Sequence, residues 1–403
     1  MSESSYLRFV QANRRFLAFG FTMTFCSSAG QTYFIGAFGP AVRAEFGLSH
    51  TAWSTIYMAG TLASATLLPW SGQLIDRVSL RRYAIGVALL LIFAASFMAL
   101  VPSALLLVVA IFLLRQSGQG LASHTGTTAM ARGFSGDRGK AVALASLGFA
   151  AGETLLPFLA VLAIAAIGWR ATYGATSLAL ACFLLPLIWW LLPGGGQLSS
   201  DPAGSAEASQ ESSWTRGQVL RDARFYLLLP AIVAPSFIGT ALFFHHLALA
   251  EVKGWGAAWI TGSYWIYALG SVFAALAAGP LIDRITAVRV LPAYLLPMAL
   301  GLMIVWGTDA RLWAWPYLLL VGLSSGVSYT AVTVLWAEIY GVRHLGAIRS
   351  LVVALSVFSS ALGPVTMGAL MDGGVSVEAI CALFAIYCLL ATGLMTIALK
   401  TLR

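Results

Sequence analysis

The sequence predicts an all-α membrane protein of twelve spanning helices, arranged as two pseudo-symmetric six-helix bundles. Hydrophobic residues make up 59% of the 403-residue chain and charged residues 9%, where a soluble domain carries roughly 25% charged. A soluble chain of this length would bury a large core but lack the charges to cover its surface. The chain also repeats itself. Gly72-Gln-Leu-Ile-Asp76-Arg77, followed by Arg81-Arg82, returns as Gly279-Pro-Leu-Ile-Asp283-Arg284, followed by Arg289. Asp76 and Asp283 stand 283 − 76 = 207 positions apart, and the same spacing separates Gly139 from Gly346 and Pro157 from Pro364. Two similar halves with a site between them are a common plan among secondary transporters.

A helix needs about 20 mostly apolar residues to cross the hydrocarbon. Such stretches run near 16–40, 52–73, 83–102, 104–131, 141–165 and 171–192. Six more follow near 225–250, 258–281, 290–307, 313–338, 349–371 and 377–398. The expected domains are therefore 1–192, a polar cytoplasmic linker at 193–224, and 225–403. The linker opens Pro-Gly-Gly-Gly and reads as flexible to about Trp214, and Gln218–Phe225 reads as a short interfacial helix leading into span seven.

The formal charge of +8 invites a nucleic-acid reading, but its distribution fits a membrane better. With both termini inside, 18 of the 23 Lys and Arg residues fall on the cytoplasmic side. Only Arg43, Arg170, Lys253 and Arg311 fall opposite, and Arg115 lies within a span. That bias over short loops sets a multi-pass topology in the plasma (inner) membrane. Cys26, Cys182, Cys381 and Cys388 lie in apolar stretches without metal-ligand spacing, so they read as small buried hydrophobes. Arg8, Arg14 and Arg15 precede a first span too long for the apolar core of a cleavable signal.

The duplicated Gly-x-x-x-Asp-Arg turn has its own physical logic. Gly72 and Gly279 allow neighbouring helices to approach closely, and Asp76 and Asp283 are placed to meet a helix N-terminus. Arg77, Arg81, Arg82, Arg284 and Arg289 pair with those carboxylates or stay in water. Such contacts would form a cytoplasmic gate that latches in one state and breaks in the other. The second copy has Val288 at the position corresponding to Arg81, so the latch is expected to be asymmetric.

These turns, between spans two and three and again between eight and nine, resemble the signature of the major facilitator superfamily, and the resemblance covers essentially the whole chain. Arg115-Gln-Ser-Gly118-Gln-Gly120, Arg138-Gly139-Lys140-Ala141, Gly168-Trp169-Arg170, Ala337-Glu338-Ile-Tyr340-Gly341 and His344-Leu-Gly346 are similar to the branch of monocarboxylate porters and their bacterial relatives. The resemblance implies a twelve-helix alternating-access carrier. It weakens at the site residues. Span one has no Lys and span eight no charge before Asp283, where monocarboxylate porters carry a Lys and an Asp–Arg pair. Oxalate-type carriers use basic residues in spans eight and eleven; here Arg349 lies only at the edge of span eleven. A single central Arg suits a larger, singly anionic or weakly charged organic solute.

Charges inside spans cost several kcal/mol unless they face a cavity or a partner. Two are central, Arg115 in span four and Glu153 in span five. At 1.5 Å per residue they lie roughly 24 and roughly 18 Å above the ends of their antiparallel helices, close to one depth. An ion pair between them is expected, with Glu153 accepting a proton and Arg115 binding an anionic substrate once released; a static pair gluing two helices is the plainer reading. The run Ser27, Ser28, Gly30, Gln31, Thr32, Tyr33 in span one points to a cavity wall or a helix contact. Gln31, Tyr33 and Tyr329 are candidate solute ligands, as are Tyr264 and Trp265 in span eight. His124 reads as a buried, hydrogen-bonded histidine. His245 and His246 point in different directions on span seven, so at most one lines a cavity. Glu338 reads as interfacial.

No catalytic Ser/His/Asp grouping, zinc motif or phosphate-binding glycine loop appears, and no filter-like motif of a channel. The expectation is a monomeric secondary transporter of a small organic solute in a lipid bilayer, with protons as the candidate coupling ion and no metal or cofactor. An exporter of drug-like or aromatic metabolites and a transporter-like sensor share the same features.

Overall fold

The computed structural model describes residues 3–134, 137–192, 214–341 and 343–400. Residues 193–213, most of the expected linker, and Arg403 lie outside the described residues. All regular structure among the described residues is helical. Nine helical runs there are long and apolar enough to cross a membrane. One of them, Arg138–Leu191, holds spans five and six. It turns at Gly168, whose φ of 77° and ψ of 162° leave the helical region; a side chain there would be strained.

The first two spans are not among the nine, for reasons visible in their residues. Span one is interrupted, as Glu3–Cys26, a 3₁₀ turn Ser27–Gly30, and Thr32–Phe46 of only 15 residues. Span two, His50–Gly72, is diluted by Ser, Thr and Gly. Span three is Leu80–Leu100, and span four is Ala104–Leu114, Arg115–Ala122 and Ser123–Gly133. In the second half, spans seven and eight are Ala223–Val252 and Ala257–Ile285, and span nine is Ala287–Gly307. Spans ten, eleven and twelve are Arg311–Tyr340, Leu345–Asp372 and Val377–Lys400. The expected interfacial helix is a single turn, Arg216–Val219, closed by a Thr215–Gln218 capping box, after which Asp222 caps span seven.

The chain divides into two compact units, Met1–Leu48 with Thr55–Gly204, and Ser49–Ser54 with Ser205–Arg403. In the first unit span one packs along span five through Gly148 and Gly152, where an added Cβ would overlap Thr24 and Ser28. In the second, Gly322 and Gly326 bring span ten against the backbone of span eight at Tyr267 and Ser271. Glycine at a helix contact is what packing in lipid favours, because no hydrophobic drive separates protein from solvent there. Cys182 is exposed rather than buried, whereas Cys381 and Cys388 are buried.

Both units are stapled at the ends away from the duplicated turns. Arg170 pairs with Glu45 at 2.6 Å and donates to the carbonyls of Ala99 (3.0 Å) and Val101 (2.8 Å). Trp169 Nε1 donates to the same Glu45 at 2.6 Å. In the second unit Lys253 pairs with Asp309 (2.7 Å) and Glu378 (3.4 Å), and Trp255 Nε1 donates to the Asp309 carbonyl at 2.8 Å. The four cations expected opposite the arginine-rich side are thus engaged: Arg43 Nε donates to Leu48 O at 3.2 Å, and Arg311 lies 5.2 Å from the Trp259 ring centre.

Candidate functional site: the interrupted first span and Arg115

Polar residues end the first helix of span one at mid-length. Ser27 Oγ donates back to Thr24 O at 2.6 Å, a local bond that competes with helix continuation. Gln31 is extended, with φ −85° and ψ 155°, and Thr32–Phe46 starts afresh without a side chain capping its first N–H groups. Span four meets this interruption with a π-helical stretch, Arg115–Ala122, a widening that occurs frequently at functional sites. The two segments touch through glycine. A Cβ on Gly118 would lie 2.7 Å from Gly30 Cα, and one on Gly30 would overlap the Leu114 carbonyl.

Arg115 is drawn into this junction and is 1% exposed. Its Nη1 donates to Gly30 O at 3.1 Å and to Thr32 Oγ1 at 3.4 Å. Its guanidinium carbon lies 5.2 Å from the Tyr57 ring centre, and Tyr57 OH shares a 2.6 Å bond with Thr32 Oγ1. Arg115 Nε has no hydrogen-bond partner among the described residues. Gln116 ties the same stretch to span two, accepting from Ser64 (3.0 Å) and donating to Ser71 (2.7 Å).

The expected Arg115–Glu153 ion pair is not formed: no salt bridge joins them. The interruption frees the Gly30 carbonyl, and Arg115 takes that instead. Glu153 follows Gly152, which lies against Ser28. It is half-buried and makes no ion pair or hydrogen bond among the described residues. Gln31 is likewise half-buried, while Tyr33 OH bonds Ser28 Oγ at 2.8 Å. A cavity of about 450 Å³ lies nearby, lined by Phe25, Cys26, Ala29, Phe34, Leu159 and Phe183 among others. None of the polar groups of the junction lines it, and Leu159 and Phe183 are 53% and 73% exposed. It opens on the outer surface of the unit, beside the exposed Leu159 and Phe183.

The remaining sequence candidates separate by unit. His124 Nδ1 lies 3.2 Å from Thr128 Oγ1, and its Nε2 faces Gly72, where a Cβ would stand 3.6 Å away. Gly72 therefore makes room for an imidazole. Asp76 does not meet a helix N-terminus or its neighbouring arginines; it forms an ion pair with Arg132 at the end of span four. That hydrogen bond, outweighing partial desolvation, holds the Asp76 carboxyl below its usual range. Arg77 and Arg82 are exposed, and Arg81 lies over the Trp189 ring.

In the second unit, Asp283 is exposed without an ion pair or hydrogen bond among the described residues. The carboxylate that does meet a helix N-terminus is Glu338, which accepts from the N–H groups of Ala287 (2.9 Å) and Val288 (3.1 Å) at the start of span nine. Gly279 has open space where a Cβ would go, so no close helix approach requires it. Arg284 and Arg289 are exposed. His245 Nε2 lies 3.0 Å from Pro364 O in span eleven. His246 turns the other way, with Nδ1 3.0 Å from Tyr264 OH, and the two rings stack. Tyr264 is thus a core residue. Trp265 contributes to an aromatic cluster with Trp315 and Trp259, and Tyr329 is 73% exposed on span ten. Among the described residues no three His, Cys, Asp or Glu side chains gather to hold a metal. Sequence reasoning missed Tyr57 and Gln116. Gln116 adjoins a buried Arg and was open to notice; Tyr57 carried no signal until the tertiary contacts placed it.

The model of the Major Facilitator Superfamily matches residues 20–364. The chain belongs to the major facilitator superfamily. Among curated proteins no significant match to the sequence is found. A bacterial homolog of the human lysosomal transporter Spinster has a similar structure in its inward-facing, unoccupied form. The TM-score is 0.76 at 13% identity, covering 96% of this chain and 97% of that one. Its inward-facing, occupied form gives 0.75 at 12%, covering 97% of each. The nucleoside transporter NupG gives 0.74 at 10%, covering 95% and 99%. At these identities the likeness shows the fold alone. The superfamily chain is a multi-pass membrane transporter, not an enzyme.

Proposed function

We propose that this major facilitator transporter moves a small, singly anionic organic solute by alternating access, coupled to protons. The observation that carries the reading is Arg115. It is a permanent cation buried in a span, and among the described residues it has no ion pair and one N–H without an acceptor. Beside it lies the uncapped start of Thr32–Phe46, where helix N–H groups favour an anion. Interrupted helices whose half-helix ends bind solute are a recurring transporter device. Gln31 and Tyr33 supply the neutral polar contacts. Glu153, a carboxyl within span five that has no ion pair among the described residues, supplies the group that carries a proton. The single cation argues for a monoanion, and the sequence likeness to monocarboxylate porters supports that class without their full ligand set. The charge distribution supports an inner-membrane location with both termini cytoplasmic, and a monomer suffices for the mechanism.

Reconstituted vesicles test this. Wild-type protein is expected to give saturable uptake and counterflow of an organic monoanion, and Arg115→Gln to abolish both while remaining folded. Counterflow of neutral aromatic solutes that survives Arg115→Gln would favour an exporter of uncharged metabolites. Ligand binding without flux would make the protein a sensor and overturn the proposal.

A further inference from the structure

On the arginine-rich side of the first unit, two tryptophans close span six. Leu185–Leu191 is its last helical segment, and Trp189 and Trp190 stand 63% and 58% exposed there. Each carries a guanidinium. Arg81, at the start of span three, lies with its Cζ 3.2 Å from the Trp189 ring centre. Arg15, in the first helix of span one, lies 5.3 Å from that of Trp190. Among the described residues neither arginine forms an ion pair, and the buried Nε of Arg81 has no acceptor there. The nearest acid in sequence, Asp76, is taken by Arg132, and Asp137 by Lys140. Span three itself starts at Ser79 without a side-chain cap, so its first N–H groups add positive potential at the same place.

The carbonyl end of span six attracts cations, which explains why the arginines lean towards it. It does not satisfy them, because a guanidinium laid flat on an indole keeps its N–H edge free. That edge is a fork that fits a phosphate. Exposed indoles at the end of a spanning helix sit at headgroup depth. We propose that Arg15, Arg81, Trp189 and Trp190, with the uncapped start of span three, form a binding site for the phosphate of an anionic phospholipid. The acyl chains would lie along the exposed apolar flank of span six. The site is independent of the solute reading above.

Native mass spectrometry of the full chain from phosphatidylcholine nanodiscs, with and without phosphatidylglycerol, tests it. Wild type is expected to retain phosphatidylglycerol in preference to phosphatidylcholine. Arg15→Gln with Arg81→Gln should weaken that preference by roughly fivefold per arginine removed. Arg289→Gln, an exposed arginine of the second unit, should leave it unchanged. Arg15→Lys with Arg81→Lys keeps the charge and should retain part of the preference, which covers the case where the glutamine pair fails to fold. Equal retention by wild type and the glutamine pair would overturn the proposal. So would an equal loss in Arg289→Gln, or displacement of the lipid by inorganic phosphate, which would mark a soluble-anion site.

Discussion

Arg115 and Gly30 depend on each other. The carbonyl that satisfies the guanidinium is available only because span one stops at Gly30, and the two helices come that close only because Gly30 and Gly118 lack side chains. Gly118→Ala is therefore expected to destabilise the protein by about 1–3 kcal/mol through overpacking, read as a lower unfolding temperature in detergent. Glu153→Gln bears on coupling instead. Solute counterflow should persist while acceleration by an imposed proton gradient disappears, and an unchanged response to the gradient would remove Glu153 from that role. The polar run of span one and the lone charges Arg115 and Glu153 were legible because such residues are costly in a span. Their pairing was not. Rise per residue gives depth, but the direction in which each side chain points is set by helix rotation and packing, and these turned Arg115 towards Gly30.

At the scale of elements, the duplicated turns are built differently despite their shared residues. In the first unit a cation at the end of span four, Arg132, holds the carboxylate of the turn. In the second a carboxylate at the end of span ten, Glu338, holds backbone N–H groups of the turn. The second turn also contains Thr286 at φ 73°, a strained conformation for a β-branched residue. Thr286→Gly should relieve that strain and raise the unfolding temperature slightly, whereas Glu338→Gln should lower it. Asp76 gives a pH signature. Its folded-state carboxyl lies below its usual range because Arg132 hydrogen-bonds it. The pair therefore stabilises fully above the ordinary carboxylate range, and that contribution is lost as pH falls through the lowered value. With side chains 40% and 47% exposed, it amounts to at most about 1 kcal/mol. The stability difference between wild type and Asp76→Asn should be constant near neutrality and vanish in acid.

Across the whole molecule a spacing one residue longer than the 207 of the duplicated turns relates two pairs of opposite charges and one position charged in the second half only. Glu45 and Lys253, Val101 and Asp309, and Arg170 and Glu378 are each 208 positions apart, and each trio closes the same end of its own unit. The hub has moved from the cation starting span six to the cation ending span seven. Lys253 is 1% exposed whereas Asp309 is 79% exposed. Lys253→Ala should thus cost about 2 kcal/mol and Asp309→Asn less than about 1 kcal/mol, measured as thermal unfolding midpoints.

The sequence alone determined the membrane class, the twelve spans, the duplication and the positions of the intramembrane charges. Hydropathy, spacing and the cost of charge in hydrocarbon are properties of the chain before it folds. The tertiary structure alone decided which groups meet. The interruption of span one, the π-turn of span four, Tyr57 over Arg115 and the charge-swapped staples all depend on helix rotation and on how closely backbones can pack, and neither is fixed by the order of residues along one helix.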